Sequence, residues 1–176
     1  MQSDPQRRSP VVAAKDRLQP ALLDRLTDHE PHKRTEQPDA VFVNEARLRD
    51  ALLRDLGWLL NARDAWDHID MEGLEHVQRS VINYGMPPLA GQLLSVLDWK
   101  DVEKNIRNSI LAFEPRILPK TLTVTLQASE EQLNQHNTLQ FEIRCQFWSM
   151  PYPIELLIKT SMDLETGQVS LQNLRG

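Results

Sequence analysis

Between residues 105 and 117 an amphipathic helix runs into a proline and emerges as a strand, and this junction constrains the fold more than any other stretch. Trp99, Val102, Ile106, Ile110 and Phe113 recur at steps of three and four, the spacing that aligns one face of an α-helix. Asp98 is placed to cap that helix, with Asp101 in its first turn, where a carboxylate favours the free backbone N–H groups. Pro115 sets the other end, because its ring lacks an N–H and turns the preceding residue away from helical geometry. Glu114 and Arg116 are therefore expected on opposite sides of a rigid proline, at the seam between a helical layer and a sheet.

The sheet announces itself by a period of two. Leu122, Val124 and Leu126 alternate with Thr121, Thr123, Thr125 and Gln127, and Leu139, Phe141, Ile143, Cys145 and Phe147 alternate with Gln140, Glu142, Arg144, Gln146 and Trp148. Pro151 and Pro153 break the chain before Ile154, Leu156, Ile158, Met162 and Leu164 resume the alternation. Glu165-Thr166-Gly167-Gln168 reads as a hairpin turn ahead of Val169 and Leu171. The polar stretch 128–137 reads as a connection between the first two strands.

Two further helices precede the junction. Asn44–Asn61 carries the stripe Leu48, Leu52, Leu56, Leu59 and Leu60, with Asn44 as cap and Gly57 as a point of close approach by another element. After a connector containing Trp66, a third helix is expected from about Met71, with Leu74, Val77, Val81 and Tyr84 on its inner face and Gly85 closing it. Met86–Gly91 follows as a stiff loop. The fold class is thus α+β: about three helices, plus a short N-terminal one, on a four-stranded and mainly antiparallel sheet.

Residues 1–40 are polar and broken by prolines, so this segment is expected to be largely flexible, with the domain proper at 41–176. One island stands out at residues 20–28, a short helix opened by Pro20 with Leu22, Leu23 and Leu26 on one side. It either packs on its own domain or docks on a partner.

The chain has 176 residues and a formal charge of −5, with Lys and Arg scattered, which leaves no electrostatic footprint for nucleic acid. A single cysteine, Cys145, on the apolar side of a strand reads as a buried thiol and excludes an internal disulfide. No secretory signal and no stretch long enough to span a bilayer is read, so a cytoplasmic protein without direct membrane insertion is expected. His29 and His32 lack the further ligands that a metal site requires, and neither a nucleophile elbow nor a phosphate loop is present, so no catalytic residue, metal or cofactor is expected. Glu114 as a glycosidase acid is opposed by Arg116, since a nearby cation favours an ionised carboxylate.

Several pieces together resemble one family, the TssE baseplate subunit of bacterial type VI secretion, related to a wedge protein of contractile phage tails. They are Leu22-Leu23-Asp24-Arg25-Leu26, Leu48-Arg49-Asp50 with Asp55-Leu56-Gly57-Trp58-Leu59-Leu60-Asn61, Ser80-Val81-Ile82-Asn83-Tyr84-Gly85-Met86-Pro87, and Phe113-Glu114-Pro115-Arg116. The chain departs from the family pattern at Gly57 and Pro88. The resemblance implies a structural subunit of the cytoplasmic baseplate beside TssF, TssG and TssK. It also implies a sheath-like fold whose sheet edge templates polymerisation of the TssB and TssC sheath. By the same resemblance Glu114, Pro115 and Arg116 contact the core of the wedge, with Asn83, Tyr84, Gly85, Leu22, Leu23 and Leu26 as further partner-binding residues. The competing readings are a cell-wall hydrolase, in keeping with the lysozyme-like label some members carry, and a stress-response anti-adaptor of similar fold.

Overall fold

The computed structural model describes residues 20–28, 31–34, 44–65, 72–88, 98–127 and 138–174. Four helices, α1 (Leu22–Leu26), α2 (Glu45–Asn61), α3 (Glu75–Gln78) and α4 (Trp99–Phe113), precede four strands, β1 (Thr123–Leu126), β2 (Thr138–Phe147), β3 (Ile154–Asp163) and β4 (Val169–Asn173). The strands form one antiparallel sheet in chain order, in keeping with their two-faced patterns. The expectations for residues 1–19, for Trp66, for 89–91 and for 128–137 lie outside the described residues.

The core forms where the two periodicities meet. On β2, Leu139, Phe141, Ile143, Cys145 and Phe147 are all buried, and β3 answers with Ile154, Leu156, Ile158 and Met162 on the same face. Thr160 fills the one gap in that alternation, at 1% exposure, and its hydroxyl has no hydrogen-bond partner among the described residues. Against this face lie Leu48, Leu52, Leu56, Leu59 and Leu60 of α2 and Val102, Ile106 and Ile110 of α4. Each such side chain contributes about 1.5–3 kcal/mol when fully buried, so these two stripes hold the helical layer to the sheet.

Both long helices begin as the sequence leads one to expect. Asn44 Oδ1 accepts from the Arg47 N–H at 2.9 Å, and Asp98 Oδ1 accepts from the Lys100 N–H at 2.9 Å. The hairpin between β3 and β4 closes where expected, with Gly167 at φ +72° and Asp163 Oδ1 accepting from the N–H groups of Glu165 and Thr166. Gly57 does face another element, since a Cβ at that position would lie 3.5 Å from Leu171 of β4, an ordinary contact distance.

The third helix is different. Instead of a continuous helix reaching Tyr84, α3 is a single turn, followed by a 3₁₀ turn over Val81–Asn83. Local side-chain bonds compete with the helix here. Ser80 is extended and its hydroxyl donates to the Val77 carbonyl at 2.8 Å, while Asn83 Nδ2 donates to the Gln78 carbonyl at 3.1 Å. Of the expected inner face, Leu74 and Val81 are exposed, Val77 is half-buried, and only Tyr84 packs on the core.

Gly85 closes no helix either. At φ +133° it lets the chain pass tightly over the end of α2, where a Cβ would stand 2.5 Å from the Ala62 carbonyl oxygen. Met86 then brackets Arg63, its N–H donating to the Ala62 carbonyl at 3.0 Å and its carbonyl accepting from the Asp64 N–H at 3.1 Å. Ser109 Oγ donates to the Gly85 carbonyl at 2.6 Å, so this turn is sewn between α2 and α4.

Candidate functional site

Pro115 stops α4 one residue after the helix has used its last donor, the Glu114 N–H, which bonds the Ile110 carbonyl at 2.9 Å. A tight turn follows, closed by the Ile117 N–H on the Glu114 carbonyl at 3.2 Å, and it folds the Arg116 side chain back across the proline. The two charged residues therefore meet each other. Arg116 donates to Glu114 Oε1 from its backbone N–H at 3.1 Å and from Nε at 2.7 Å, and to Oε2 from Nη2 at 2.5 Å. Both oxygens of a carboxylate only 6% exposed are thus held by one neighbour, the two-pronged geometry that a guanidinium suits best. The strand end of β2 pins the turn from below, with the Trp148 N–H on the Arg116 carbonyl at 2.7 Å and the Leu118 N–H on the Gln146 carbonyl at 2.8 Å.

The pair extends into α2. Arg116 Nη2 also donates to Asp55 Oδ2 at 2.6 Å, and Asp55 Oδ1 accepts from Arg54 Nε at 3.0 Å and Nη2 at 2.9 Å. Arg54 Nη1 in turn bonds Asp24 of α1, while the guanidinium carbon sits 5.1 Å from the Trp58 ring centre. Asp24, Arg54, Asp55, Arg116 and Glu114 form a chain of alternating sign that ties the N-terminal island, the long helix and the proline junction together. The Arg116 guanidinium is held well above its ordinary pKa, chiefly by the bond to Glu114, which outweighs the opposing effect of burial. Arg116 Nη1 is buried without a hydrogen-bond partner among the described residues.

Beside this chain lies an open cleft of about 370 Å³, walled by Leu22, Trp58, Tyr84, Phe113 and Pro115, with Asp55, Glu114 and Arg116 at its edge. Tyr84 and Phe113 meet edge to face, 5.3 Å between centres and 71° between planes. Burial raises the pKa of the Tyr84 hydroxyl, helped by the charges of Asp55 and Glu114. Burial, with a smaller push from Glu114, also raises Cys145 to about 12, so its thiol is protonated and inert at neutral pH.

Of the residues singled out from the sequence, Glu114, Pro115, Arg116, Tyr84 and Leu22 come together around one cleft. Asn83 and Gly85 do not; their contacts stitch the 72–88 segment internally and to α4. Leu23 and Leu26 point outward at 45% and 74% exposure. The sequence reading missed Asp24, Arg54 and Asp55 as members of the site. Their types fit a solvated helix flank, and the partner of Asp55 lies 61 residues away, beyond the reach of any local period.

Chemically, the arrangement is a charged latch next to an aromatic cleft. Among the described residues no cluster of three or more His, Cys, Asp or Glu side chains is placed to hold a metal ion, and no described helix is long and apolar enough to cross a membrane. Nothing among curated proteins or solved structures matches the chain. The family model described as baseplate wedge protein gp25 matches residues 46–152, from the start of α2 past the end of β2, and so includes Asp55, Tyr84 and the Glu114-Pro115-Arg116 turn. With more than half of its length matched, and with the α+β fold just described, the chain belongs to the family of baseplate wedge protein gp25, whose members are structural components of a baseplate.

Proposed function

We propose that this chain is the TssE-type wedge subunit of a type VI contractile injection machine. In this reading it works in the cytoplasm, joins the wedge core built from TssF, TssG and TssK to the first ring of the TssB and TssC sheath, and templates sheath growth. The observation that carries the proposal is the coincidence of the family match with the charge-locked proline turn: the matched segment contains Asp55, Glu114 and Arg116, the residues that fix that turn against α2. The cleft beside the turn is the wedge-facing surface, lined by Glu114, Pro115, Arg116 and Tyr84. Leu22 stands at its wall, whereas Asn83, Gly85 and the outward Leu23 and Leu26 lie outside it.

The same geometry argues against a hydrolase. A glycosidase needs one carboxyl group free to hand a proton to the leaving oxygen. Both oxygens of Glu114 are already occupied by Arg116, and the neighbouring Asp55 shares the same guanidinium. The sheet supports the sheath-facing half of the proposal, because β1 and β4 are its edge strands and, among the described residues, side chains of the helical layer hold only one residue of each edge, Glu103 the Leu126 N–H and Asn61 the backbone of Val169.

The test separates folding from assembly. A Glu114→Gln, Arg116→Met double variant leaves no orphaned charge at the turn and is expected to fold, yet to fail to co-purify with TssF and TssG and to stop sheath formation in cells. Co-purification at wild-type yield would sink the assembly reading of this surface. Release of fragments from purified peptidoglycan by the wild-type protein, lost in Glu114→Gln, would establish a hydrolase instead.

A further inference from the structure

Helix α1 buries none of its residues, and Leu22 and Leu26 are 69% and 74% exposed. Five residues cannot hold a helix in water unaided. Among the described residues the helix itself is tied to the body by the ion pair of Asp24 with Arg54, whose two side chains are each about one third exposed. Apolar burial is therefore not what seats it, and an ion pair so placed is weakened by salt. Arg54, by contrast, is anchored without Asp24, by Asp55 at 2.9 Å and by the Trp58 ring. Asp24 is the exchangeable member of the pair. Its helix also brings Ala21 and Leu22 to the wall of the cleft that contains Arg116.

We propose that α1 is a releasable strap across this cleft, that the Asp24–Arg54 pair is its clasp, and that an acidic segment of the wedge partner opens it. The opening segment places its own carboxylate on Arg54 and an apolar side chain where Leu22 now stands, so it is recognised by an acidic residue beside a leucine-like one. A free carboxylate does not suffice, because Asp24 competes from the same chain at a high effective concentration. The inference rests on the reading of the cleft as the wedge-facing surface.

Two measurements on the full chain decide it. Amide hydrogen exchange over residues 22–26 is expected to rise at least fivefold in Asp24→Asn, with α2 and α4 unchanged. Raising NaCl from 0.05 to 1 M is expected to do the same to the wild type and to add little in the variant. Unchanged exchange in Asp24→Asn would overturn the clasp. Association with an immobilised TssF–TssG complex is expected to be several-fold faster for Asp24→Asn than for the wild type, and equal or slower association would overturn the gating role. A wild-type chain that binds no such complex would refute the wedge reading itself, while the exchange data would still decide whether α1 is held by charge.

Discussion

Asn61 and Val169, 108 residues apart, exchange two hydrogen bonds: the Asn61 amide donates to the Val169 carbonyl at 2.9 Å and accepts from the Val169 N–H at 2.8 Å. The primary amide at the end of α2 thus takes the place of a neighbouring strand on the free edge of β4. Replacing it leaves both backbone groups of Val169 to find water in a partly buried place. Asn61→Ala is expected to cost about 1–3 kcal/mol, and Asn61→Asp more, since it sets a carboxylate oxygen against the Gly57 and Val169 carbonyls that the amide nitrogen now serves. Urea denaturation of the three proteins checks this ordering.

Gly57 and Gly85 should respond to alanine in opposite directions. Gly57→Ala meets Leu171 at an ordinary contact distance and removes a poor helix former from α2, so a gain of up to about 1 kcal/mol is expected. Gly85→Ala combines a backbone conformation foreign to L-residues with a Cβ 2.5 Å from the Ala62 carbonyl oxygen. A loss of at least about 2 kcal/mol is expected there. Thermal melts of the two variants beside the wild type would show the split.

Arg116→Ala strands the carboxylate of Glu114 at 6% exposure and takes the bridge away from Asp55. Breaking a buried pair from one side costs about 3–5 kcal/mol, and the lower end applies because Arg116 keeps a quarter of its side chain in water. Arg116→Glu should be worse still, as it sets three carboxylates against one another. The double variant Glu114→Gln, Arg116→Met should recover most of the loss, and chemical denaturation of the series measures how much.

Cys145 gives the fold an alkaline limit. Its thiol is raised to about 12 in the native state against an ordinary value near 9, so the folded form holds a proton that the unfolded chain has lost between those two values. The stabilisation is complete below about pH 9 and is lost as pH climbs toward 12. Tyr84, raised as well, adds in the same direction at the upper end of the window. Unfolding free energies measured at pH 8, 9, 10 and 10.5 should fall less steeply for Cys145→Ala than for the wild type.

How far the sequence could be read depended on the range of the interaction. The period of two in Leu139–Phe147 and the leucine stripe of α2 are local, strong and mutually consistent, and every position in them lands in the core. The apolar spacing over Leu74–Tyr84 is just as regular on paper. There the hydroxyl of Ser80 and the amide of Asn83 spend their hydrogen bonds on the chain itself, and the helix breaks after one turn. The junction was legible because proline acts on its own neighbour. That Arg116 also reaches Asp55 was not, because a contact across 61 residues leaves no periodic trace.

The stretch that marks the family ends at residue 152, whereas the sheet does not. β3 pairs with every residue of β2 and presses Ile154, Leu156, Ile158 and Met162 into the same interior as the two long helices. A chain cut at residue 152 would keep the signature yet bare the backbone of ten consecutive residues of β2, and the apolar face they carry, along an open edge, an invitation to stack with other copies. The matched stretch is smaller than the unit that folds, and a stable fragment has to be drawn past Val169 to include the strand that Asn61 holds.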